Sequence, residues 1–240
     1  MPAPEGSQAL QGSRALLSTG GVDDSAAEAT AVESVRLDAD AVAHCAANLD
    51  WARLRELTDA VGNAGDDGSS AGGNGGAGRV LVSGVGKSGA VAQRLAASLT
   101  STGSPAHFVH AAEWAHGDLG SARPGDVALF FSHSGGTAEC VGAARALAGR
   151  GGVTVASIVG DGAGGARSPL GETSDVCVAY PLDEGRFAEP LGCVPTSSVV
   201  LQEVVANALV SALVARRGFD RAAFARNHPG GAIGEALAQD

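Results

Sequence analysis

Twice in this 240-residue chain a short apolar, β-branched run ends in a loop of glycine and serine that opens a helix. The stretches are RVLVSGVGKSG (79–89) and DVALFFSHSGGTAE (126–139). A chain that repeats this unit is driven towards a parallel sheet covered by helices on both faces. Three further runs read as strands: AHFVH (106–110), VTVASIV (153–159) and DVCVAYP (175–181). Helices are expected over 88–103, from Thr137 to about Ala148, and over 195–218, where Pro195 falls in the first turn and Gly218 just past the end. The fold class is therefore α/β, three-layered, with a mostly parallel five-stranded sheet. In such sheets ligands bind at the carboxyl ends of the strands.

Ahead of this core, Val32, Val35, Val42, Leu49, Leu54 and Leu57 recur at helical spacing. They predict two helices within 23–61, broken near Asn48–Trp51. Residues 62–78 (GNAGDDGSSAGGNGGAG) read as a flexible loop, and 1–22, rich in Gly, Ser, Ala and Pro, as a disordered tail. The expected organisation is a single domain over 23–240, with its α/β core at 79–240.

Charge narrows the partners. Residues 1–78 carry a net −8 and residues 79–240 a net −2. No basic face is implied, so nucleic acid is not an expected partner. Cys45, Cys140, Cys177 and Cys193 form no CxxC pair and are expected as buried free thiols in a reducing cytosol. No apolar run is expected to reach the roughly 20 residues of a membrane span, and MPAPEGSQALQGSR has no signal-peptide pattern. The expectation is a cytoplasmic protein without a membrane partner.

GVGKSG (84–89) half-fits two nucleotide motifs. A phosphate-binding P-loop would need glycine at Leu81; a dinucleotide fingerprint is met by Gly84, Gly86 and Gly89 but wants an acidic residue where the next strand ends at His110. What both share is the physics. Glycines let backbone approach an anion, and a helix N-terminus offers it free N–H groups. Lys87 is the only lysine in a chain with 15 arginines. A compact ammonium, or one able to lose its proton, fits a position arginine does not fill. In SHSGGTAE, Ser132, Ser134 and Thr137 put three hydroxyls near one helix N-terminus, which suits a phosphate monoester. PTSS (195–198) is a third polar cluster at a helix start. His110, His116 and Asp118 could contribute to a metal site, but nothing in their spacing fixes such geometry, and no metal is expected.

VSGVGKSG, STGSPAHFVHAAEWAHGDLG, SHSGGTAE, PLGCVPTSS and RGFDRAAFARNHPGGAIG occur in this order between about Arg79 and Ala236. Together they resemble the sugar isomerase (SIS) domain family, and more closely its arabinose-5-phosphate isomerase branch. The resemblance implies cofactor-independent aldose–ketose isomerisation through an enediolate, on a sugar phosphate. It implies a homo-oligomer, a tetramer, with active sites between subunits. Ser88, Ser132, Ser134 and Thr137 match phosphate-binding hydroxyls, with Gly84 and Gly86 in the adjoining loop and Thr196, Ser197 and Ser198 in the third cluster. Lys87, Glu139, His116 and His228 match active-site residues, whereas His107, His110 and His133 match no role and are expected to be structural or peripheral. One departure stands out. The family carries a glutamate followed by Ala-Cys-Pro, and here FAEP places Phe187 at the glutamate position. Glu189 or Glu184 substitutes, or the carboxylate is lost, at a cost on the order of 10²–10⁴ in rate. Relatives continue into a CBS pair; these 240 residues contain none, and regulation through one is not expected.

Overall fold

The computed structural model describes residues 24–64, 78–183 and 187–237. The expected tail, Glu184 and all of the expected 62–78 loop between 65 and 77 lie outside them; residues 62–64 belong to a helix. Two helices lead, α1 (Asp24–Asn48) and α2 (Trp51–Ala64), and Asp50 caps the second by accepting from the Ala52 and Arg53 N–H groups at 3.0 and 3.1 Å. The core follows: β1 (Val80–Gly84), α3 (Gly86–Ser101), β2 (Ala106–His110), β3 (Val127–Ser132), α4 (Ala138–Ala148), β4 (Thr154–Gly160), α5 (Pro169–Thr173) and β5 (Val176–Tyr180). Helices α6 (Ser197–Arg217), α7 (Arg221–Asn227) and α8 (Gly231–Leu237) complete it.

All five strands are parallel, in the order β2-β1-β3-β4-β5. Side chains alternate between faces. Along β3, Val127, Leu129 and Phe131 join a core with Leu57, Leu95, Leu99 and Leu209 from α2, α3 and α6. Ala128 and Phe130 point the other way, into a core with Trp114, Cys140, Leu147 and Leu170. Burying each large apolar side chain contributes about 1.5–3 kcal/mol, so continuous apolar runs are what a two-faced sheet requires.

Three expectations change. Val32 and Val35 are 46% and 69% exposed; Ala41 and Cys45 are buried in α1 instead, while Leu49, Leu54 and Leu57 are buried as expected. Pro195 precedes the N-cap Thr196 rather than entering the first turn, while Gly218 caps α6 in the left-handed region (φ 56°). Finally, α6 is long and apolar enough to cross a membrane by length and composition, with mean hydropathy 1.8. Its apolarity has a local cause: α6 packs on α1, α2 and α3 and reaches β4 and β5, so several sides of it face protein.

The order 2-1-3-4-5 reverses direction between β1 and β3. That reversal opens a crevice at their carboxyl ends, bounded by the starts of α3 and α4.

Candidate active site

A cavity of about 460 Å³ occupies the crevice. Val85 lines it from the β1–α3 turn, Lys87 and Ser88 from the first turn of α3, and His133, Ser134 and Thr137 from the β3–α4 loop. Phe187, Glu189, Gly192, Cys193 and Pro195 line it from the segment before α6, and Ser198, Val199 and Gln202 from α6 itself. The N-caps of α3 and α4, Val85 and Thr137, make no side-chain cap hydrogen bond. Two helices thus present uncapped first-turn N–H groups at one crevice, a setting that favours an anion.

The glycines of the first loop divide the labour. A Cβ on Gly84 would lie 3.0 Å from the Gly89 nitrogen, and one on Gly89 3.1 Å from the Gly84 carbonyl carbon, so these two let α3 sit close on β1. Gly86 turns the chain at φ +59° with open space around it. Gly84, expected at a ligand, is therefore a packing glycine.

Of the three hydroxyl residues in the second loop, only Ser134 and Thr137 line the cavity. Ser132 is 2% exposed; its hydroxyl meets that of Thr137 at 2.9 Å and accepts from the Gly135 N–H at 3.1 Å. It shapes the loop from inside. Gly135 takes φ +61°.

The PTSS hydroxyls have an unexpected job. Thr196 donates to the Ala188 carbonyl. The buried Ser197 hydroxyl accepts from the Ala188 N–H at 2.8 Å and lies 2.5 Å from Asp38 of α1, to which it donates. Ser198 donates to the Glu189 carboxylate. Thr196 and Ser197, expected at substrate, clamp Ala188 instead; Ser198 lines the cavity and holds its carboxylate. Glu189 is 8% exposed, with an extended backbone (φ −126°, ψ 101°). Phe187 and Glu189 both line the cavity, which thus holds a carboxylate two residues from Phe187. We expect Asp38→Ala, which leaves the buried Ser197 hydroxyl only the Ala188 carbonyl at 3.1 Å as acceptor, to cost about 0.5–1.5 kcal/mol in chemical denaturation.

The remaining candidates lie elsewhere in the chain. His116 and Glu139 line a second cavity of about 360 Å³ whose other walls are Trp114, Leu119 and the Ala138, Gly142, Ala143 and Ala146 face of α4. It shares no lining residue with the first. Trp114 anchors the EWAHGDLG loop, donating from Nε1 to Ser83 Oγ at 3.1 Å. His228 donates through Nδ1 to the Phe224 carbonyl at 2.9 Å and stacks on Phe224 with centroids 3.9 Å apart. Its neighbour Asn227 donates to the carbonyl of Ser101, the last residue of α3, whereas Lys87 is the second residue of that helix. At 1.5 Å per residue this separates His228 from Lys87 by about 20 Å within one chain. His107 lines a groove along α3, and His110 accepts from the Ala112 N–H at 3.3 Å. Among the described residues no three His, Cys, Asp or Glu side chains group as metal ligands.

His133, expected to be peripheral, is at the cavity wall. Its Nδ1 lies 2.7 Å from the Tyr180 hydroxyl, and the ring stacks on Tyr180 and on Phe187. Burial holds its pKa below the usual imidazole value, while Glu189 pulls the other way. Burial likewise pushes the Tyr180 phenol up. Gln202 Nε2 donates to that phenol at 3.3 Å, and Gln202 Oε1 is buried with no partner among the described residues.

The thiols also separate. Burial pushes Cys45 up to about 11 and Cys140 up to about 12, whereas Cys193, expected buried, is exposed on the cavity rim. Iodoacetamide at pH 8, read by peptide mass spectrometry, should modify Cys193 first, leaving Cys45 and Cys140 untouched; a sugar phosphate in the cavity should slow it.

A 2-1-3-4-5 parallel sheet with an anion-suited crevice at its reversal defines a doubly wound α/β binding domain. The chain belongs to the SIS domain family, whose profile matches residues 76–212. It is 44% identical over 162 residues to the arabinose 5-phosphate isomerase KdsD of Pseudomonas aeruginosa, covering 68% of this chain and 48% of that protein. It is 41% identical over 160 residues to the arabinose 5-phosphate isomerase GutQ of Salmonella typhi, covering 67% and 48%. The chain thus spans about half the length of the curated relatives it matches. Among solved structures, Escherichia coli CFT073 c3406 in complex with arabinose 5-phosphate superposes with a TM-score of 0.72 at 28% identity, covering 87% of this chain and 100% of that one.

Proposed function

We propose that this chain is an aldose–ketose isomerase interconverting D-arabinose 5-phosphate and D-ribulose 5-phosphate. The observation that carries this reading is a held carboxylate, Glu189, facing Lys87 and two uncapped helix N-termini across one cavity. The names of the relatives and the sugar-phosphate complex of a similar fold support it. The phosphate docks on Ser88, Ser134, Thr137 and the first-turn N–H groups of α3 and α4. Glu189 takes the proton from C2 and returns it to C1. Lys87 stabilises the enediolate oxygen as charge develops. The unpartnered Gln202 acceptor suits a sugar hydroxyl.

His116, Glu139 and His228 complete the site only from a neighbouring subunit, because within one chain they lie outside this cavity. A homotetramer of single SIS domains, cytoplasmic and without metal or cofactor, is part of this reading. Phe187 favours a second one, a phosphosugar sensor that binds without turnover; an isomerase for another sugar phosphate would share the phosphate loops.

The test is a proton NMR time course with arabinose 5-phosphate in D₂O. Ribulose 5-phosphate appearing, with deuterium entering at C1 or C2, is the expected result. Saturable binding without conversion or exchange would replace isomerase with sensor, or send the search to other sugar phosphates.

A further inference from the structure

His133 lies where the cavity meets the core. Its backbone is fixed, since the His133 carbonyl accepts from the Gly160 N–H at 3.0 Å. Its ring is fixed too, by stacking on Tyr180 (centroids 6.0 Å, 25° between planes) and on Phe187 (5.8 Å, 13°). The hydrogen bonds then assign the protons. Tyr180 is fully buried, and its hydroxyl meets only Gln202 Nε2 at 3.3 Å and His133 Nδ1 at 2.7 Å among the described residues. An amide nitrogen donates and does not accept, so the single phenol hydrogen goes to His133 Nδ1. Nδ1 therefore accepts, and the neutral ring carries its own proton on Nε2. That nitrogen has no hydrogen bond among the described residues, and the ring lines the same cavity as Lys87, Ser134 and Glu189. A second observation points to a guest there: Gln202, 1% exposed and on the same wall, holds an unpartnered Oε1.

We propose that His133 is a further catalytic residue, a neutral imidazole whose Nε2–H donates to the reacting oxygens of the sugar and carries a proton between them. This rests on the isomerase reading above. The balance closes without a co-reactant. Glu189 removes the C2 proton and later delivers it to C1. The Nε2 proton passes to O1 as the aldehyde becomes an alcohol, and the O2 hydroxyl proton passes to Nε2 as C2 becomes the ketone carbon. The imidazole and the carboxylate both end as they began. Phe187 has a use in this scheme: an apolar ring at that position shields one side of the imidazole from water, which favours its uncharged form. A donor that stays neutral does not tie up Glu189 in an ion pair. Tyr180 is a positioning residue, which sets the tautomer without reaching the substrate; Gln202 orients the phenol through Nε2 and offers Oε1 to the sugar.

The experiment uses the full chain, labelled with ¹⁵N, in two measurements. In the first, imidazole ¹⁵N shifts of His133, assigned by their loss in His133→Asn, report the tautomer; a protonated Nε2 and unprotonated Nδ1 are expected. In the second, turnover of arabinose 5-phosphate is compared across variants. His133→Asn should lower kcat about 100-fold with KM changed less than about threefold. Tyr180→Phe keeps the stacking ring and loses only the hydroxyl; it should let the tautomers mix and lower kcat roughly tenfold, again with little change in KM. If His133→Asn does not fold, the tautomer and Tyr180→Phe decide. A wild-type ring protonated on Nδ1, or folded variants with wild-type kcat, overturns the role of His133 while the isomerase reading stands. A wild-type chain that turns over no sugar phosphate overturns the isomerase reading, and this role with it.

Discussion

Glu189→Gln should abolish turnover while leaving sugar-phosphate binding nearly unchanged. The expected fall in kcat is on the order of 10²–10⁴-fold, the range for losing an acid–base group. The change keeps shape, volume and an oxygen for Ser198 to donate to, so the fold and the phosphate site are spared. Only the ability to take a proton goes. The result should therefore divide cleanly: kcat collapses, and the affinity read by calorimetry moves by less than about threefold. A Glu189→Gln enzyme with wild-type kcat would mean that the base lies elsewhere, with Glu139 of a neighbouring subunit the next candidate.

The second large effect is on stability. Gly135→Ala should lower the unfolding free energy by about 3–4 kcal/mol and the melting temperature by roughly 10 °C. Two costs combine. At φ +61° a side chain meets the left-handed penalty, about 1–2 kcal/mol. The new Cβ would also lie 2.1 Å from Ser168 Oγ and 2.5 Å from its Cβ. Ser168 cannot simply turn away. It is buried, donates to the Gly165 carbonyl at 2.6 Å and caps α5 by accepting from the Gly171 N–H at 3.2 Å. Moving it forfeits about 0.5–1.5 kcal/mol per hydrogen bond. The same displacement shifts Ser134 and Thr137, so sugar-phosphate affinity should fall with stability. Thermal denaturation with and without arabinose 5-phosphate checks both, and a variant that melts with the wild type would show that the loop relaxes around the methyl group.

The architecture is legible in the sequence because buried parallel strands leave a coarse signal. RVLVS, DVALFFS and VTVASIV are mostly apolar on both faces since both are covered, and their loops lie at the carboxyl ends whatever the details. Burial direction is less legible. Successive residues at a helix start turn by about 100°, so PTSS announces three hydroxyls without saying that two grip backbone and one grips a carboxylate. Ser132 is ambiguous for a similar reason, since a loop serine can serve the loop or its guest. His133 does leave a signal: it sits between two serines of the phosphate loop, within reach of whatever that loop holds. Glu189 is legible only as an alternative, because the sequence does not say which residues of the segment before α6 face the cavity. Val32 and Val35 keep helical spacing yet face outward, which spacing alone cannot exclude.

Thr196 and Ser197 grip Ala188 by its peptide atoms and take no account of its neighbours' side chains. The grip works like a hinge pin through a panel whose two sides can be repainted. The segment therefore stays registered against α6 through backbone contacts that do not depend on the side chains at 187 and 189. Chemical specificity in such a domain can then drift along three residues, while the parts that recognise phosphate remain unaltered.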